Sequence, residues 1–83
     1  MPSLSSLPSD LSRTKLLQAL ERCGFVVSMR GGNGSHCKAT WPRSGKVAVI
    51  PYSAKLPKKR LQYVLEDIEA ISGLSWEDVR KEL

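Results

Sequence analysis

Between positions 25 and 51 the chain reads FVVSMRGGNGSHCKATWPRSGKVAVIP, and the way this stretch divides decides the fold. Three runs suited to strands, residues 25–30, 35–41 and 46–51, alternate with two turn clusters, Gly31-Gly32-Asn33-Gly34 and the segment from Pro42 to Gly45. Short apolar runs punctuated by Gly, Asn, Ser and Pro read as hairpins, and two linked hairpins make an antiparallel meander. Successive strand residues point to opposite faces. Phe25, Val27 and Met29 are therefore expected on a core face with Cys37, Ala39, Trp41, Val47 and Val49. The other face is expected to receive Ser28, Arg30, His36, Lys38, Thr40 and Lys46, which gathers three cations and the only histidine.

On either side of the meander the pattern turns helical. Upstream, Ser12 is expected to cap a helix through its hydroxyl, and Leu16, Leu17, Leu20 and Cys23 recur at helical spacing. Gly24 ends that helix, with Phe25 packing back on Leu20. Cys23 then reads as a small core residue. Residues 1–8, rich in Ser and Pro, are expected to form a flexible leader to a single domain over residues 9–83. Downstream, a connection over residues 52–56 leads to Pro57, which suits the first turn of a second helix with the stripe Leu61, Val64, Leu65, Ile68 and Ile71. Gly73 closes it. Ser75 and Asp78 then resemble a capping box, flanked by Leu74 and Val79 as a staple, and open a short last helix over residues 76–81. The fold class is α+β: an α-β-β-β-α unit with a three-stranded antiparallel sheet, helices on one face, and a short C-terminal helix.

The chain has 83 residues, which is one domain's worth, and at this size folding hides only about 60 to 65% of the unfolded surface. A deep pocket for a large cofactor is not expected, and neither a cofactor nor a metal is assigned. The formal net charge of +5 is unevenly spread. Positions 13 to 60 carry eleven basic residues against Glu21 alone, a net of +10, while positions 61 to 83 carry two against six acids, a net of −4. A basic body of this kind points to a polyanion such as nucleic acid. Cys23 and Cys37 form no CxxC unit, so a reducing, cytoplasmic setting is expected. No stretch approaches the roughly 20 apolar residues of a membrane span, and no signal peptide is evident.

His36 is the residue to weigh first, because only histidine exchanges protons near neutrality without a perturbed pKa. Sharing a metal between His36 and Cys37 is disfavoured, since strand neighbours point apart. A Ser-His-Asp hydrolase lacks an acidic partner, Glu21 being the only one in the basic block. Glu66 and Asp67 are adjacent on a helix, diverge, and read as solvated surface. Lys58, Lys59 and Arg60 occupy a helix's first turn, where the dipole disfavours cations by some tenths of a kcal/mol, and phosphate binding would offset that cost.

The run LSRTKLLQALERCGF, the Gly34-Ser35-His36 triplet and the run VAVIPYSAKLPKKRLQYVL together resemble the HicA family of bacterial toxins over about residues 7–75. These are mRNA interferases of toxin-antitoxin systems. The resemblance implies a fold similar to the double-stranded RNA-binding domain, a catalytic role for His36, and a HicB-type antitoxin that masks the same surface. Cys37 stands where members often have a second histidine, and Tyr52 and Ser53 where another is frequent. The expected reaction is metal-independent cleavage of mRNA, with His36 activating a ribose 2′-OH. Gly34 and Ser35 support it, and Arg30, Lys38, Lys46, Lys55, Lys58, Lys59 and Arg60 bind RNA. The alternative is a noncatalytic RNA-binding module that uses the same basic surface.

Overall fold

The computed structural model describes residues 7–28, 36–51 and 55–83, with His36 described through its backbone. The turn of residues 31–34, Arg30, Ser35, Met29 and residues 52–54 lie outside the described residues. In chain order the elements are β1 (Leu11–Ser12), α1 (Arg13–Cys23), β2 (Val26–Ser28), β3 (His36–Trp41), β4 (Lys46–Pro51), β5 (Lys55–Leu56), α2 (Lys58–Ser72) and α3 (Trp76–Arg80).

The α1 helix ends as its sequence requires. Gly24 takes φ 115°, its N–H donates to the Glu21 carbonyl, and the Phe25 N–H donates to the Leu20 carbonyl at 3.0 Å. This pair of bonds is the Schellman arrangement, which turns the chain sharply into β2. Phe25 and Leu20 are both buried. Ser12 does occupy the N-cap of α1, but its side chain makes no capping hydrogen bond. Its backbone is engaged instead in a ladder that sequence reading does not anticipate, since β1 pairs antiparallel with β5, Leu11 opposite Leu56 and Ser12 opposite Lys55.

The main sheet has the order β2-β3-β4, antiparallel throughout, so β3 is central. Helices α1 and α2 cover one face, α1 against β2 and α2 against β4, and α3 packs on α1. Leu16, Leu17, Ala19 and Leu20 of α1 and Leu61, Val64, Leu65 and Ile68 of α2 meet the sheet's buried residues in one core. This α-β-β-β-α core with both long helices on one face has the arrangement of a double-stranded RNA-binding domain.

Two expectations fail in β4. Val47 and Val49, expected inside, are 42% and 48% exposed, and Ala48 and Ile50 are buried in their place. The cause is the turn. Trp41 pairs with Lys46, so four residues separate the partners, and the Ser44 and Gly45 N–H groups both donate to the Trp41 carbonyl. An even-numbered loop makes odd positions face even ones, so Cys37 and Ala39 share their side with Ile50 and Ala48. For the same reason Lys46 lies opposite Trp41, on the side away from Lys38, and does not join the face expected for it.

At the N-terminal end, Leu7 is 3% exposed and belongs to the core, so this residue of the expected leader is an integral part of the fold. The second helix begins one residue later than expected, with Pro57 at its N-cap, and Gly73 stops it with φ 80°. The capping box of α3 is present: the Asp78 N–H donates to Ser75 Oγ at 3.4 Å, and the Ser75 N–H donates to Asp78 Oδ2 at 2.9 Å. The Ser75 N–H and the Ser75 hydroxyl, the latter at 3.1 Å, both donate to Asp78 Oδ2 and hold its carboxyl below the ordinary pKa.

Candidate nucleic-acid interface

Strand β3 carries the decisive residues, and its alternation sorts them. Cys37 and Ala39 are fully buried beneath the helices, whereas Lys38 is exposed on the open face. Lys38 lies between Ser28 of β2 and Val49 of β4, and Thr40 lies between Val26 and Val47. Position 36 precedes Lys38 by two residues, its backbone paired with Pro51 at the sheet's end.

Electrostatically this face is one-sided. The chain has no Asp or Glu from Arg22 through Leu65, a span that includes all three strands of the sheet. Among the described residues Lys38 has no ion-pair partner, and the ion pair of Arg80 with Glu77 is on α3, away from this face. Uncompensated cations on an open surface attract phosphate at long range and lose that attraction as salt rises.

The remaining expected cations form a second group. Lys55 lies in β5, exposed, and α2 opens with Lys58, Lys59 and Arg60, with no acidic residue in its first turn. From Pro51, the backbone partner of position 36, the chain reaches Lys55 in four steps, a span of at most about 14 Å. Lys55, three residues ahead of α2, thus lies within that reach of the sheet end that holds position 36. Arg30, Gly34 and Ser35 lie outside the described residues.

One cation was not singled out in the sequence. Arg13, the first residue of α1, reaches across to β3 and its Nη1 donates to Cys37 Sγ at 3.2 Å. This side chain contacts the residue next to His36, from the helix-covered side. A contact 24 positions apart leaves no local pattern, so Arg13 reads in sequence only as another surface cation.

A cleft of about 540 Å³ opens at the far end of β3, lined by Cys23, Gly24, Trp41, Pro42, Arg43 and Leu74 among others. Burial first, then Glu82 and Asp78, push the Cys23 thiol above its ordinary pKa. A thiol kept protonated is a poor nucleophile, so no chemistry is assigned there. Among the described residues no three His, Cys, Asp or Glu side chains gather as a metal cluster. None of the described helices is long and apolar enough to cross a membrane.

The chain matches no protein-family model and has no significant match among curated proteins. Its geometry and chemistry therefore carry the functional argument. The arrangement offers an acid-free sheet face bearing Lys38, with a histidine position at one end and Lys55, just ahead of the basic start of α2, within reach of that end.

Proposed function

We propose that the chain is a metal-independent endoribonuclease acting on mRNA, the toxin of a type II toxin-antitoxin system, with His36 as its catalytic base. One observation carries the reading: position 36 opens the central strand two residues before Lys38, within a stretch free of carboxylates. The resemblance of residues 7–75 to HicA toxins supports it, and so does the double-stranded RNA-binding-domain-like arrangement of the core.

In the proposed step the His36 imidazole takes the proton of a ribose 2′-OH, and the 2′-oxygen forms a bond to the adjacent phosphorus. The bond from phosphorus to the 5′-oxygen breaks, and that oxygen takes a proton from solvent. The products are a 2′,3′-cyclic phosphate and a 5′-hydroxyl. A general base supplies about 10²- to 10⁴-fold, and cations aimed at the phosphorane charge supply a comparable factor. Lys38, with Arg30, is assigned that second role, and Gly34 and Ser35 orient the phosphate. Lys55, Lys58, Lys59 and Arg60 hold flanking phosphates. A HicB-type antitoxin is the proposed protein partner, covering this surface.

The test is incubation of purified protein with unpaired RNA in EDTA. Cleavage to 2′,3′-cyclic phosphate ends is expected, and His36→Ala is expected to abolish it while RNA binding persists. Full cleavage by that variant would remove His36 from the mechanism. A second reading, a noncatalytic RNA-binding module, is favoured by one feature: three successive cations open α2 with no acid in its first turn. Salt-dependent binding without cleavage by the unmodified protein would select it.

A further inference from the structure

The open face of the sheet is patterned in a way that a single catalytic position does not require. Direct cross-strand pairs form two rows across it, Val26, Thr40 and Val47 in one and Ser28, Lys38 and Val49 in the next. The valines stand on the outer strands and are 58%, 42% and 48% exposed, at Val26, Val47 and Val49 in turn. The polar residues Thr40 and Lys38 run along the central strand. The face is therefore a polar strip bearing one cation, Lys38, with largely apolar walls, the outer strands lying about 9.6 Å apart, two interstrand spacings. Along the strip, residues on one side of β3 recur every roughly 6.7 Å, two residues of strand rise. That repeat is close to the spacing of successive phosphates in an extended single strand.

We propose that this strip is the track of an unpaired, extended RNA strand lying along β3 with one nucleotide per row. A phosphate sits on Lys38, and the adjoining riboses pack their apolar edges against Val49, Val47 and Val26. The proposal rests on the cleavage reading above and specifies the form of its substrate. At least two nucleotides lie on the Thr40 side of the scissile bond. Charge complementarity selects the occupant, since the three strands carry no carboxylate and Lys38 has no ion-pair partner among the described residues. No aromatic side chain stands in the two rows, so the contacts there are to phosphate and ribose, which carry no sequence information, and the track is tolerant of sequence. A duplex is too broad to lie between the valines and is excluded.

Thr40 and the valines lie off the core, which permits two opposed substitutions. Thr40→Glu places a carboxylate in the strip, and Val49→Lys adds a cation to its wall. The measurements are kcat/KM on RNAs of one sequence extended by one nucleotide at a time, affinity across a salt series, and melting temperature as the check on folding. For the unmodified protein kcat/KM is expected to rise at least tenfold over the first two nucleotides added on one side and then level off. A hairpin that pairs those nucleotides should lose that gain. Thr40→Glu should abolish the length dependence, and Val49→Lys should tighten binding severalfold and steepen the slope of log K against log salt by about 0.7. Cleavage with no length dependence, or unaltered in both variants, would overturn the track and leave the cleavage reading standing. Absence of cleavage, with binding of unpaired RNA that Thr40→Glu weakens and Val49→Lys strengthens, would sustain the track and overturn the cleavage reading. If the substitutions alter only the capture of a protein partner, the face is a protein-docking surface and the track is wrong.

Discussion

The two sides of β3 are made from alternate residues of one hexapeptide, HCKATW, yet they obey different constraints. On the covered side Cys37 and Ala39 meet Ile50 and Ala48 beneath two helices, and all four are at most 1% exposed. On the open side Lys38 and Thr40 meet Ser28, Val26, Val47 and Val49, three of which are exposed apolar residues. Packing density fixes the first set, because a close-packed interior registers the loss of even one methylene. Nothing in the fold fixes the second, so its composition is free to serve binding. The comparison teaches that in so small a domain, stability and function can be written on alternate residues of the same strand.

The comparison breaks first if neighbouring residues of β4 prove energetically alike. Ile50→Ala should destabilise the protein by about 2–5 kcal/mol through lost burial and a residual cavity. Val49→Ala, one residue away, should cost under about 0.5 kcal/mol. Urea denaturation of the pair measures both, and equal losses would show that the open face is structural. Next in size is Gly24→Ala at the entry to β2. Its φ of 115° is strained for any L side chain, and an added Cβ would meet Trp41 at 3.4 Å. A loss of about 1–2 kcal/mol is expected, read as a lowered melting temperature.

A subtler outcome concerns α3, which buttresses the covered side. The depressed pKa of Asp78 means its capping contribution is present above the ordinary carboxylate pKa and fades as pH falls through its lowered folded value. Asp78→Asn should therefore melt below the unmodified protein at neutral pH and converge with it in acid, which a melting series across pH checks. Smallest of all, Glu77→Ala breaks the exposed ion pair with Arg80 and should change stability by only a few tenths of a kcal/mol, less still in high salt.

Much of the fold was legible because its signals are local. The LERCGF stop and the Ser75 to Asp78 cap each lie within a few residues and appear as expected, and so does the antiparallel order of the three strands of the meander. The phase of β4, and with it the side taken by Lys46, is not legible in sequence, because alternation within a strand says nothing of its partner and the relation between strands hangs on how many residues the turn contains. The β1–β5 ladder and the burial of Leu7 were illegible for another reason: two-residue strands have no period to detect, and their partners lie far along the chain. Of the site, Lys38 on its exposed face followed from alternation, while Arg13 against Cys37 could come only from the tertiary structure.

The ladder between Leu11–Ser12 and Lys55–Leu56 also has a bearing on the order in which the molecule assembles. It closes the whole of α1 and the three-stranded sheet into one long loop, whose ends meet just before α2. Closing so long a loop costs more chain entropy than forming either hairpin within it, and two pairs of residues return little of that cost until α2 has docked. The meander can form early and locally. The segment bearing Lys55 is therefore expected to be set in place after the meander, which a slower rate of protection of the Lys55 amide than of the β3 amides in pulsed hydrogen exchange would check.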